Sequence, residues 1–235
     1  LDAQPRTTRD LDLVVGIDLM ASEAAHVRIH DSLISNGFEP VPQNAKWQWE
    51  KKLSADRSVV VDMHVPVSAD ENKAVRIQSR RVKFRQSLEK GIHGREDPEA
   101  VGGNRSCFEF EWQGTAILVP NPLTWSVMKL VAMADRLDVS REPEIEPERR
   151  QFEREQAQKH AQDVCRVVAM VTREEMDRLG SVAGIVRAGK SFGRACDACR
   201  EHFVADDGYG LAVARNSWRP EDLELIRGQL ARWFG

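Results

Sequence analysis

The sequence predicts a mixed α/β domain over residues 1–120, followed by a helical domain over residues 121–235. Alternating and β-branched runs, separated by turn residues, fill much of the first part, which is typical of strands. In the second part apolar residues recur every three or four positions, which is typical of helices that bury one face. Strands first and helices after is the order of an α+β chain.

The first part is predicted to contain one helix and two hairpins. Gly37 is the expected end of the helix, because glycine readily adopts the left-handed conformation there. The segment 54–57 and the pair Gln113-Gly114 are predicted as the hairpin turns. The polar segment 68–105 shows no clear pattern. The predicted elements are a strand at 11–16, a helix at 18–36, strands at 47–53 and 58–65, and strands at 107–112 and 115–119.

The second part is predicted to be mainly helical. Asn121 and Pro122 are typical of a helix start, because asparagine caps free N–H groups and proline has none to satisfy. Residues 139–150 are charged and contain two prolines, which favours a linker or long loop. Thr172 and Glu175 have the spacing of a capping box. The predicted inward-facing residues are Leu123, Val127, Leu130, Ala134 and Leu137 in the first helix and Ala157, Ala161, Val164, Val168 and Val171 in a helix over 151–171; a last helix covers 220–234.

Composition and charge exclude several classes of protein. The net charge is −3, so overall charge does not make this a protein that coats nucleic acid. No apolar run reaches the ~18–20 residues that cross a bilayer, and no signal peptide is apparent. We therefore expect a cytoplasmic protein with no membrane partner, whose four cysteines are reduced thiols.

Asp10 and Asp12 are the first candidates for a functional site. Residues two apart on a strand share one face, so both carboxylates are expected on the face opposite Leu11 and Leu13. Neighbouring carboxylates repel unless a cation lies between them, and Mg²⁺ prefers oxygen ligands of this kind. A polar strand end in solvent is the alternative interpretation.

Asp62 interrupts the β-branched run of residues 59–65. An unpaired charge is costly if buried, so Asp62 either lies on an exposed sheet face or has a cation partner. Beside a strand that carries Asp10 and Asp12, a shared metal site is the better interpretation. The sequence therefore predicts a metal site formed by Asp10, Asp12 and Asp62.

Several segments resemble the nucleotidyltransferase-fold proteins of the DNA polymerase β superfamily. Segment 6–15 is similar to their R-x-T-x-D-(I/L)-D-L strand, and Asp62 matches their third carboxylate. The AbiE-type toxins of type IV toxin–antitoxin pairs, with their uncharacterised relatives, are the most similar group. Two helices extend the resemblance: 122–130, with Lys129 as the family's lysine and Ala132 and Arg136 beyond it, and 159–164, which is similar to a K-D-x-x-D-(I/L) helix but has His160 where Asp is common.

The resemblance implies a Mg²⁺-dependent nucleotidyltransferase. Its three carboxylates would hold two Mg²⁺ ions while an acceptor hydroxyl attacks the α-phosphorus of an NTP such as ATP and pyrophosphate leaves. Asp62 would take the acceptor's proton. The implied acceptor is RNA such as tRNA, or a protein side chain, with an antibiotic-like small molecule as the second option; a cognate antitoxin is an implied partner. The residues implied to contact the nucleotide are Thr8, Arg9, Lys129, Arg136, Lys159 and Asp163.

Other interpretations stay open. Lys129 also fits a solvated helix position, and Lys159 with Asp163 fits an i,i+4 surface ion pair. A binding or regulatory module that keeps the fold without turnover is a rival class, since the Gly-Ser turn with which the family grips the triphosphate would fall just before Leu1. A metal-dependent glycosyltransferase is a third class, but it does not predict a third acid on a neighbouring strand.

Three further patterns remain ambiguous. Cys196 and Cys199 have the spacing of zinc ligands near His202, but no clear fourth ligand is present. Trp47 and Trp49 fit a sheet core better than a surface that stacks on bases. A basic stretch is either a solvated helix face or a contact for a phosphate-rich acceptor such as tRNA. This stretch contains Arg76, Arg80, Arg81, Lys83 and Arg85.

Overall fold

The computed structural model describes residues 10–14, 23–42, 48–66, 75–78, 81–84, 91–95 and 107–235. The chain divides into a unit that spans Arg6–Val101 and a unit that contains Gly102–Gly235. The first is built on a β-sheet and the second is mostly helical, so the predicted mixed α/β class is confirmed. The division falls at 101/102 and not at 120/121, because Phe108 of the second hairpin packs into the core of the helical unit.

The first unit contains a seven-stranded sheet. Its elements are β1 (Asp10–Val14), α1 (Glu23–Ser35), β2 (Glu39–Pro40), β3 (Gln48–Ser54), β4 (Arg57–Pro66), β5 (Val75–Gln78), β6 (Arg81–Phe84) and β7 (Gly91–Arg95). The strand order is β2-β3-β4-β7-β6-β5, and β1 pairs with β4. The β1–β4 and β4–β7 pairs are parallel, and the other pairs in this sheet are antiparallel.

Alternation along the strands gives this sheet an apolar and a polar face. Trp49 lies opposite Val61 in the β3–β4 ladder, and both are buried, as is Met63 two residues further along β4. The ring of His30, on α1, contacts Trp49 edge-on with the ring centres 5.0 Å apart. The core role predicted for Trp49 is thus confirmed, Trp47 lies outside the described residues, and α1 lies on the apolar face.

The second unit combines a hairpin with a set of helices. Its elements are β8 (Cys107–Trp112), β9 (Thr115–Pro120), α2 (Pro122–Arg141), α3 (Pro147–Met170), α4 (Arg173–Arg187), α5 (Lys190–Cys199), a π-helical turn (Arg200–Val204), α6 (Tyr209–Arg215) and α7 (Pro220–Phe234). Leu130, Met133 and Ala161, where α2 and α3 pack together, are fully buried. No helix among the described residues is long and apolar enough to cross a membrane.

Turns and helix ends follow the local sequence signals. Gly37 adopts φ +78°, and the N–H of Phe38 donates to the carbonyl of Leu33 at 3.0 Å, which closes α1 as predicted. Gln113 and Gly114 both have positive φ, as a two-residue hairpin turn requires. The predicted Asn121 cap and the Thr172–Glu175 capping box are both present.

Three predictions on the extent or type of elements are wrong. The predicted linker at 139–150 is only the short connection 142–146, because α2 continues to Arg141 and α3 begins at Pro147. Val171 lies beyond the end of α3. Arg76, Arg81 and Lys83 of the basic stretch do not lie on a helix face, since 75–78 and 81–84 are strands, and Arg80 and Arg85 lie outside the described residues.

Candidate functional site

The parallel pairing of β1 with β4 brings the predicted carboxylate positions together. In this ladder Asp12 lies opposite Asp62, and Asp10 lies opposite Val60. Opposite residues of neighbouring strands share one face of a sheet, with the strands about 4.8 Å apart. The register therefore places Asp10, Asp12 and Asp62 at adjacent positions on one face.

The apolar residues between the acids favour this register. Leu11 lies opposite Val61 and Leu13 opposite Met63, on the face of these two buried residues, while Leu11 and Leu13 themselves are exposed. A shift of β1 by one residue would move every residue of the strand to the other face. Asp12 would then lie on the face of Val61 and Met63, and Leu11 and Leu13 would lie on the face of Asp62.

Asp62 is the member of the trio whose side chain the structure describes, and it is half-buried. Asp10 and Asp12 are described by their place in the ladder alone, and Thr8 and Arg9 lie outside the described residues. Among the side chains that the structure describes, no group of three or more His, Cys, Asp or Glu is arranged to hold a metal ion. The carboxylate trio is therefore defined by backbone register.

This set of residues suits Mg²⁺ by its chemistry. Mg²⁺ is commonly bound by one or two carboxylates together with substrate phosphates and water. Two carboxylates at opposite positions of a ladder, as for Asp12 and Asp62, repel each other unless a cation compensates their charge. The residues that β1 and β4 bring together are thus compatible with the metal that the family resemblance implies.

In the helical unit, Lys129 of α2 forms an ion pair with α3. Its ammonium group is 3.2 Å from the carboxylate of Asp163 and 4.9 Å from the centre of the Trp125 ring. The side chains of Lys129 and Asp163 are only 17% and 11% exposed. The interpretation of Lys129 as a solvated surface lysine is therefore wrong. Asp163 also accepts a hydrogen bond from Arg166 at 3.3 Å.

Arg136 is a further predicted nucleotide contact, and its side chain pairs with a buried acid. Its guanidinium is 2.8 Å from the carboxylate of Glu153, which is fully buried on α3, and Arg149 pairs with the same carboxylate at 2.5 Å. A buried carboxylate needs such cations to offset its lost hydration. The structure therefore gives Arg136 a partner within the helical unit.

His160 is a member of this charged group that the sequence analysis did not select. It follows Lys159, a predicted nucleotide contact that is half-buried here. Among the described residues, the buried Nδ1 of His160 has no hydrogen-bond partner. Burial, with the neighbouring Lys129 ammonium as a second cause, lowers the pKa of His160 to about 4. Its position three residues before Asp163, on the same surface of α3, is the signal that would have identified it.

Among the described side chains, Cys196 and Cys199 do not belong to a group of three or more residues placed to hold a metal ion. All four cysteines are free. Burial raises the pKa of Cys199 to about 12, and the pKa of Cys196 is also raised by burial. Both metal-free thiols are therefore protonated at neutral pH, whereas nucleophilic attack requires the thiolate.

No protein-family model, curated protein or solved structure matches the chain. The resemblance to nucleotidyltransferases therefore stays a prediction from the residues themselves.

Proposed function

We propose that this protein is a Mg²⁺-dependent nucleotidyltransferase that moves an NMP from an NTP to an acceptor hydroxyl. The observation that carries this proposal is the β1–β4 register, with Asp12 opposite Asp62 and Asp10 two residues earlier on β1. Phosphoryl transfer asks little covalent chemistry of a protein; it needs carboxylates for divalent cations and groups that position phosphates. The resemblance of segment 6–15 supports the same assignment.

The three acidic residues have distinct roles in this proposal. Asp10 and Asp12 would hold Mg²⁺ on the side of the triphosphate. Asp62 accepts the proton of the acceptor hydroxyl. When bound, two Mg²⁺ ions would neutralise the triphosphate and lower the pKa of that hydroxyl. The bond from the acceptor oxygen to the α-phosphorus forms as the bond to pyrophosphate breaks, and the proton passes to the Asp62 carboxylate.

The family resemblance is the ground on which Lys129 is proposed as a phosphate contact. A lysine binds phosphate as a point charge on a flexible stem, so a group that confines the ammonium reduces the entropy lost on binding. Asp163 at 3.2 Å and the Trp125 ring confine it here. Asp163 is therefore a positioning residue in this proposal, as its carboxylate acts through Lys129.

Label transfer tests this proposal. Full-length protein is incubated with each NTP, radiolabelled at the α-phosphate, together with Mg²⁺ and total RNA, and both labelled products and released pyrophosphate are measured. Asp12→Asn and Asp62→Asn are expected to abolish transfer. Asp56→Asn, in the exposed β3–β4 turn, is the matched control and is expected to retain it.

Circular dichroism establishes that each variant is folded. Transfer that survives in folded Asp12→Asn would contradict the assignment of the site. Nucleotide binding by the wild-type protein, without transfer to RNA or to protein, would instead favour a non-catalytic binding module.

A further inference from the structure

The polar face of the sheet extends from the carboxylates to β5, β6 and β7. Asp62 and the buried His64 are two residues apart on β4, and His64 lies opposite His93 on β7. His93 in turn lies opposite Arg81 on β6. Since opposite residues share a face, Asp62 and Arg81 occupy one face of the sheet, two strands apart.

The same register adds three further cations to this face. Arg76 on β5 lies opposite Lys83, which is two residues after Arg81 on β6. Arg95 is two residues after His93 on β7. We call these four positions the basic row: Arg76, Arg81, Lys83 and Arg95.

Alternation in the sequence supports this placement. Ile77, Val82 and Ile92 occupy the intervening positions on β5, β6 and β7, and the ladders place them on the opposite, apolar face. Each of the three strands therefore has polar residues on one face and apolar residues on the other, as a half-covered sheet requires. A different register would place some of these arginines on the apolar face.

Charge is segregated along the polar face. Glu50 of β3 lies opposite Val60, so it shares the face with Asp10, Asp12 and Asp62. On this face, acidic residues thus predominate on β1, β3 and β4, and the basic row occupies β5 to β7. Lys52, near the β3–β4 turn, is an exception. Although the chain has a net charge of −3, this arrangement gives one end of a single face a concentrated positive charge.

We propose that the basic row binds the phosphodiester backbone of a single-stranded nucleic acid whose terminal hydroxyl is the acceptor. This inference rests on the proposed function. The distance from β4 to β5 is three strand spacings, about 14 Å. A single triphosphate bound at the carboxylates does not extend over this distance. A row of cations that follows a strand's phosphates gives affinity without base selection.

Fluorescence anisotropy with a short unstructured RNA, and with DNA of the same sequence, tests this inference. Both strands present the same phosphodiester chemistry, and the comparison tells which of them is preferred. Arg81→Glu/Lys83→Glu is expected to lower the affinity for the preferred strand about tenfold or more. The slope of log K against log[salt] is expected to become shallower by about 1.4, at about 0.7 for each lost phosphate contact.

The matched control is Arg28→Glu/Arg57→Glu, which changes the net charge equally. Arg28 and Arg57 are exposed. Arg28 lies on α1, and Arg57 is four residues before Val61 on β4, so Arg57 shares the apolar face with Val61. The control is expected to keep the wild-type salt slope. If the charge-reversed variant does not fold, Arg76→Gln/Lys83→Gln replaces it with the same expected change in slope.

Equal nucleic-acid affinity of the basic-row variants and the control would overturn the inference. The inference would also be overturned if polyglutamate displaced the bound nucleic acid as effectively as unlabelled RNA of equal charge. The basic row would then bind any acidic polymer. Binding is measured without NTP, so it does not depend on turnover. A wild-type protein that binds the strand but transfers no label would contradict the proposed function alone.

Discussion

At the scale of single residues, buried charge is the main constraint on the helical unit. Glu153 of α3 is fully buried. The guanidinium groups of Arg136 on α2 and Arg149 on α3 both pair with its carboxylate. The family resemblance alone assigns Arg136 to the nucleotide. The distance of 2.8 Å to Glu153 shows a structural task for the same side chain.

Arg136→Met is expected to lower the free energy of unfolding by roughly 3 kcal/mol, because it removes one of the cations that compensate a buried carboxylate. Urea unfolding measures this. Arg136→Met/Glu153→Gln is expected to recover much of the loss, since no buried charge then remains to be compensated. A double variant that is no more stable than the single one would show that the loss arises from packing.

His160 is expected to make the stability of the protein fall in mild acid. Its pKa of about 4 in the folded state lies below its value of about 6.5 in an unfolded chain, so below pH 6.5 the unfolded state binds the proton first. Stability is therefore complete above pH 6.5 and declines as the pH falls towards 4. Between pH 7.5 and 5, this group contributes a loss of up to about 2 kcal/mol.

The comparison of wild type with His160→Asn by urea unfolding at both pH values isolates this contribution. The variant is expected to lose less stability on acidification than the wild type. An identical loss in the two proteins would mean that His160 titrates normally in the folded state.

At the scale of elements, regular alternation and caps were sufficient to predict several strands and helix ends. The Asn121 cap, the Gln113-Gly114 turn and α7 are local signals, and each is present in the structure. Pro147 misled the prediction of the linker, because proline fits the first turn of a helix as well as a loop. β5, β6 and β7 were missed because strands of four or five residues carry too little pattern to separate from a polar loop.

The π-helical turn Arg200–Val204 also has no signature in the sequence. Gly210 of α6 lies close to this turn. A Cβ added to Gly210 would lie 2.5 Å from the ring of Phe203, which is buried in this turn. Gly210→Ala is therefore expected to lower the free energy of unfolding by about 1–3 kcal/mol through overpacking.

Gly228→Ala in α7 is the matched control, since no atom lies within 4 Å of its added Cβ. Alanine in a helix interior is expected to stabilise by about 0.5–1 kcal/mol relative to glycine. Both changes are measured by thermal and urea unfolding. Equal effects of the two substitutions would contradict the close packing of Phe203 on Gly210.

At the scale of the whole molecule, the sequence indicated which residues share a face but not which strands are neighbours. Alternation alone places Asp10 with Asp12, and Asp62 with His64. That Asp12 lies opposite Asp62, and that the polar face continues to Arg81, depends on long-range pairing that no local pattern contains. The Lys129–Asp163 ion pair likewise depends on the packing of α2 on α3.

Binding of Mn²⁺, followed by the loss of the electron paramagnetic resonance signal of the free ion, tests the carboxylate trio most directly. Wild-type protein with an NTP whose α–β bridge cannot be cleaved is expected to bind more Mn²⁺ than the nucleotide alone. Folded Asp62→Asn and Asp12→Asn are expected to lose this additional binding, and Asp56→Asn is expected to retain it. Additional Mn²⁺ binding that is equal in all four proteins would contradict a metal site on the face shared by β1 and β4.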